Sequence, residues 1–177
     1  NCPNRIRIAP ETGFNCRMYR RNAQPNATVN SSGESSSRQS KNPMKTIGIT
    51  RLSIESTISI NPGVTIQFAA SDIMLAGTDT GRPELQVGGT ITAVGTSAQP
   101  ITLTSSGAGS GAWYGVNLLP SSTGSSIIYT NIDKGYQDLI YQSTAANNAI
   151  NHDTFSTATY GLVISGGSPD VDAITST

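Results

Sequence analysis

Charged residues are scarce in this sequence. They make up 12% of its 177 positions, eleven basic and eleven acidic, and the formal net charge is zero. Such a balance leaves no electrostatic footprint for nucleic acid and no polybasic patch for a membrane surface. Histidine and tryptophan each occur once. Cysteine occurs twice, too few for a zinc site, and no C-x-x-C or H-x-x-x-H spacing supplements the pair. No run approaches eighteen apolar residues, so no transmembrane helix is expected. Lys, Glu and Arg are sparse while Thr, Ile and Val abound and glycine numbers 18, a balance that favours strands over helices. Low charge in a strand-rich chain suits a protein that is secreted or held at the cell surface, and no cofactor is expected. The sequence opens without Met and without a charged-then-apolar leader, as expected of a processed mature form or of a piece of something longer.

Residues 1–45 differ in texture from the rest and read as an N-terminal cap or arm followed by a Ser-rich linker. Cys2 and Cys16 bracket thirteen residues and are the expected disulfide, a loop closure worth roughly 3 kcal/mol in an oxidising compartment. Arg17, Arg20 and Arg21 hold much of the positive charge. The stretch "NATVNSSGESSSRQSKNP" has too few apolar residues to order itself alone. Its sequons, Asn26-Ala27-Thr28 and Asn30-Ser31-Ser32, make Asn26 and Asn30 glycosylation acceptors in a host that glycosylates secreted proteins.

From residue 46 the pattern changes to period-two alternation. Ile49, Leu52, Ile54, Ile58, Ile60, Val64, Ile66 and Phe68 recur with polar residues between them, the signature of strands with one buried face. Asn61-Pro62-Gly63 is a turn, because Pro sets the φ of one corner and Gly supplies the positive φ of the next.

Recurrence is the decisive signal. The segments "ELQVGGTITAV", "AWYGVNLLPSS", "DLIYQSTAANN" and "YGLVISGGSPD" begin at Glu84, Ala112, Asp138 and Tyr160, and each carries a short apolar strand, a Gly/Ser/Asn corner and a second burst. First strands supply Leu85 and Val87, Val116 and Leu118, Leu139 and Tyr141, Leu162 and Ile164. Second bursts supply Ile91, then Ile127 and Tyr129, then Ile150, then Val171. Third bursts supply Ile101 and Leu103, then Ile132, then Phe155. Three strands per 20–30 residues with no helix is a β-solenoid pattern. The two-residue NG or DG turns that hairpins need are missing between the bursts, so each strand is expected to pair in parallel with its equivalent one coil later. Leu85, Val116, Leu139 and Leu162 should then form one buried column, with like residues about 4.8 Å apart. An antiparallel sandwich with strands every 8–12 residues is the competing architecture. The fold expected for 46–177 is all-β: a right-handed parallel β-helix with three strands per coil and a less regular N-terminal segment.

The strings "INPGVTIQF", "LQVGGTITAVGTSAQPITLTSS" and "AWYGVNL" resemble the opening coils of bacterial secreted right-handed parallel β-helix proteins, the pectate-lyase-like superfold. The resemblance covers roughly residues 47–177, and residues 1–46 have no part in it. It implies the fold but no single function, because adhesins, surface proteins and uncharacterised exoproteins share these strings.

Chemistry is thinly represented. A lyase would need carboxylates converging on calcium and a basic residue to abstract a proton. Asp133, Asp138 and Asp153 would approach one another if the coils stack directly, with Lys134, the only Lys after residue 45, as base. Asp170 and Asp172 share one side of a strand but lack the partners of a hydrolase acid–base pair. His152 has no orienting partner, since neighbouring Asp153 should face the other way. No metal site and no catalytic residue are expected. The remaining surface signal is aromatic: Trp113 and Tyr136 are candidate carbohydrate-binding residues if Trp113 faces outward, and packing of Trp113 under an outer loop is the alternative. Thr90-x-Thr92 and Thr102-x-Thr104 suggest an ice-binding face, which Asn117 and Gln142 would break.

The function expected is a non-catalytic extracellular structural or adhesive β-helix that self-associates through open solenoid ends or continues into a longer β-helix. Polysaccharide binding or lyase-like degradation is the alternative, and polysaccharide is the partner to test.

Overall fold

The computed structural model describes residues 51–177, which form fifteen short strands in three parallel sheets of five. The first sheet holds β1 (Arg51–Ile54), β4 (Glu84–Val87), β7 (Gly115–Leu118), β10 (Gln137–Tyr141) and β13 (Tyr160–Ile164). The second holds β2 (Thr57–Ile60), β5 (Thr90–Val94), β8 (Ser126–Ile128), β11 (Ala149–Asn151) and β14 (Asp170–Asp172). The third holds β3 (Thr65–Phe68), β6 (Ile101–Ser105), β9 (Thr130–Asp133), β12 (Thr154–Ser156) and β15 (Thr175–Ser176). Each strand pairs with its equivalent one coil away, so the chain winds as a right-handed parallel β-helix with three strands per coil. No helix among the described residues is long and apolar enough to cross a membrane. The Cys2–Cys16 disulfide, the Asn26 and Asn30 acceptors and the cap-and-linker reading of 1–45 lie outside the described residues.

Alternation sends every second side chain inward, and the register stacks these into columns. Leu85, Val116, Leu139 and Leu162 are successive Cα partners, as the periodicity requires. The first three are fully buried, and Leu162, on the outer strand, packs on the core while half-exposed. A parallel column runs Ile54, Val87, Leu118, Tyr141, Ile164. These numbers show the coil shortening from 33 residues to 23. The early coils are longer because the loop of residues 69–83 and the corner of residues 106–112 add chain outside the sheets.

The second sheet departs from the expected alignment. Ile58 pairs with Ile91, whereas Ile60, Ala93, Ile127, Ile150 and Val171 form one column. Ile127 therefore stacks on Ala93 and not on Ile91. The hydroxyl of Ser125 accepts the Ile91 N–H at 3.1 Å, at the point where the column over Ile91 ends. Ser125 belongs to a buried polar corner that closes coils three and four. Its N–H donates to Asn148 Oδ1 at 2.7 Å, while Asn148 Nδ2 donates to Tyr141 Oη at 3.0 Å and to Ser143 Oγ at 2.9 Å. Buried polar groups are tolerable there because the network satisfies them.

The other corners turn on single residues in the left-handed region. Tyr129, His152 and Ala173 have φ of 49°, 58° and 51° between the second and third sheets, and Lys134 and Thr157 have 64° and 54° just beyond the third. Left-handed backbone in ordinary residues usually marks local strain. Its repetition at equivalent corners makes it architectural here. Tyr129 is accordingly a corner and not the end of a second burst.

Candidate functional site

Trp113 is the point at which strand alternation breaks. Gly115 has φ of +121° and lies so close to the next coil that an added Cβ would stand 1.7 Å from the Gln137 carbonyl oxygen. This conformation, open to glycine and strained for other residues, sets the chain that leads from Trp113 into β7. Trp113 points inward: it is 0% exposed, its ring stacks on Phe68 with centroids 4.4 Å apart, and Nε1–H donates to the Asp133 carbonyl at 2.7 Å. Both faces of that ring belong to the core, so Trp113 is withdrawn as a carbohydrate-binding residue. Replacing Gly115 with alanine should cost at least about 2 kcal/mol in chemical denaturation, because backbone on both sides must shift.

Tyr136 does lie at the surface, half-buried, and it has company. Its ring stacks on Tyr114 at 6.2 Å and meets Tyr160 edge-on at 5.8 Å. The three tyrosines come from successive coils along one edge of the first sheet, where Gln137 N–H donates to the Tyr114 carbonyl and Tyr160 N–H to the Tyr136 carbonyl, each at 3.0 Å. The loop of residues 69–83 delivers a cation to this row. The Arg82 guanidinium lies over the Tyr136 ring, 4.8 Å from its centroid. Its Nη1 donates to Asp79 at 2.5 Å and its Nε to the Gly111 carbonyl at 2.9 Å. The loop itself is tied down by Asp72, which accepts the Met74 and Ala76 N–H groups, and by Thr78, which donates its N–H to Glu84 at 2.7 Å. Burial raises the pKa of the Tyr114 hydroxyl, and the carboxylates of Glu84 and Asp79 raise it further, while Arg82 opposes them. A ring face at the rim comes chiefly from Tyr160, which is 52% exposed.

Arg82 and Tyr160 were not singled out from sequence, and Tyr114 stood among the aromatics but not among the binding residues. The signal was there for the tyrosines: positions 114, 136 and 160 recur at nearly the coil period. Arg82 was not legible, because only the folded loop brings it to the row.

The acidic residues do not converge as the lyase reading required. Asp133 ends β9 and Asp138 lies in β10, so both flank the corner between the third and first sheets. Asp153 sits between β11 and β12, at the corner between the second and third. No group of three or more metal-ligating side chains forms among the described residues. Asp138 is fully buried and accepts the Gly135 N–H at 2.8 Å. Burial pushes it up to about 7, with the Asp133 carboxylate adding to the rise. Asp153, also fully buried, accepts the Thr130 N–H at 2.7 Å, and burial pushes it up to about 8. The Lys134 ammonium donates to the Ser105 carbonyl at 3.2 Å and forms no ion pair with any of the three. His152 packs against Tyr129 with ring centroids 4.6 Å apart.

The threonine rows follow a register different from the one the sequence suggested. Thr102 has Asn131, Thr154 and Thr175 as its successive neighbours and Thr65 on its other side. Asn117 and Gln142 are not part of that face. The neighbouring column is mixed, with Gln67 beside Thr104 and Asp133 beside Ser156, so the T-x-T array is broken by other residues than those named above.

No family model, curated protein or solved structure matches this chain. The likeness to secreted β-helix proteins therefore rests on its short strings, and the fold on strand register.

Proposed function

We propose that this chain is a non-catalytic, extracellular structural or adhesive solenoid that engages polysaccharide along its tyrosine–arginine edge. The observation that carries the reading is the row Tyr114, Tyr136, Tyr160, one ring per coil, with Arg82 laid across it. Aromatic rings held by the backbone of successive coils offer contact area at little entropic cost, as extended binding surfaces on solenoids do. The separation of Asp133 and Asp138 from Asp153, and the engagement of Lys134 with Ser105, favour binding over lyase chemistry.

Self-association, or continuation into a longer β-helix, accompanies this reading. β13, β14 and β15 stand at the outer edge of their sheets, with Ile164 and Val171 exposed beside unpaired strand backbone. Such edges invite another strand. Light scattering across a concentration series should show growth in mass, and a concentration-independent monomer would end the association proposal.

The functional test incubates the protein with acidic and neutral polysaccharides, with and without calcium. Retention without new reducing ends and without ultraviolet-absorbing unsaturated products is the expected result. Product formation under either condition would replace this reading with a degradative enzyme.

A further inference from the structure

We infer that the tyrosine edge selects uncharged glycan chains and excludes polyuronates, with Tyr160 as the ring on which a sugar stacks. The inference rests on the carbohydrate-binding reading above and narrows its ligand.

Charge is the first ground. A polyuronate carries a carboxylate on every sugar and needs guanidinium or ammonium groups with donors to spare. The Arg82 guanidinium at this edge is already committed: it donates to Asp79 and to the Gly111 carbonyl and lies on the Tyr136 ring. Lys134, at the corner beyond the third sheet, donates to the Ser105 carbonyl. Two carboxylates, Asp79 and Glu84, stand beside Tyr114, and Arg82 opposes them. Their field resists ionisation of the Tyr114 hydroxyl, as it would resist any further anion brought to the same place. An uncharged polymer meets no such opposition.

Geometry is the second ground. Tyr114 and Tyr136 are half-buried and stack on each other, and Arg82 lies over the Tyr136 ring. Tyr160 meets Tyr136 edge-on and is the most exposed ring of the three. A pyranose face can therefore lie on Tyr160 while its hydroxyls reach the phenol oxygens of the preceding coils.

The test uses the whole chain in affinity electrophoresis and titration calorimetry against a neutral β-glucan, xylan and mannan, and against polygalacturonate at low and moderate salt. The unaltered protein should be retarded by at least one neutral polymer and not by polygalacturonate. Tyr160→Ala should weaken neutral binding about tenfold, and Tyr160→Trp should restore it. Tyr160 is exposed, so circular dichroism should find both variants folded. Asp79→Asn, which frees Arg82, should gain polygalacturonate binding. Tighter binding of polygalacturonate than of neutral polymer by the unaltered protein would overturn the selectivity while sparing carbohydrate binding. Neutral binding indifferent to Tyr160→Ala would overturn the assignment of the stacking ring. Binding of no polymer would overturn the carbohydrate reading itself.

Discussion

Trp113→Ala is expected to lower the unfolding free energy by about 3–5 kcal/mol, the range for deleting a large aromatic side chain from a core. The indole is fully buried and its removal takes away several contributions together. Its stack on Phe68 disappears, the Asp133 carbonyl loses the Nε1–H donor, and a cavity opens at the corner joining the third sheet to the first. Backbone on all sides is tied into ladders, so collapse into that cavity is limited and the cost should sit near the top of the range. Denaturant unfolding followed by far-ultraviolet circular dichroism measures it, since the variant lacks the chain's one tryptophan as a fluorophore. Trp113→Phe should recover about half the loss by keeping the stack. A destabilisation below about 1 kcal/mol would place the ring at the surface and reopen Trp113 as a binding residue.

The second large effect is a dependence of stability on pH that runs toward acid. Asp153 and Asp138 are pushed up to about 8 and about 7 by burial, whereas an unfolded aspartate titrates near 3.8. Between those limits the folded chain holds protons that the unfolded chain releases. Stability from this source is therefore complete below the unfolded value, falls as pH rises, and is lost once both folded values are passed. The two groups supply on the order of 4 kcal/mol or more between them. Thermal midpoints should fall by roughly 10 °C between about pH 5 and pH 9 for a chain of this size. Asp153→Asn keeps an acceptor for the Thr130 N–H and removes the buried charge, so it should flatten the slope and raise the midpoint at alkaline pH. A midpoint that climbs with pH, or an Asp153→Asn slope equal to that of the parent, would sink this account. Nothing in the sequence marked Asp153 as buried and Asp170 and Asp172 as exposed, because burial of a carboxylate is a property of the corner it lands in.

Legibility followed the range of the forces. Alternation along β2, β3 and β5 is a local consequence of burying one face, so it was plain in the order of residues. The column through Leu85, Val116, Leu139 and Leu162 was recoverable for the same reason, since parallel stacking repeats like on like. Trp113 was not, because the glycine at 115 interrupts the alternation from which its direction would be read. The lyase trio failed on topology: corners adjacent along the chain lie on different edges of the solenoid.

By itself, the order of residues pointed to parallel coils with three strands each from residue 46 onward, because short period-two strands recur in the same order without the tight turns that hairpins need. Only the tertiary structure decided which side chains face the solvent at the corners, that Arg82 meets Tyr136, and that burial raises the pKa of two aspartates. Those outcomes depend on contacts between residues some twenty to fifty positions apart, at turns whose geometry no periodicity encodes.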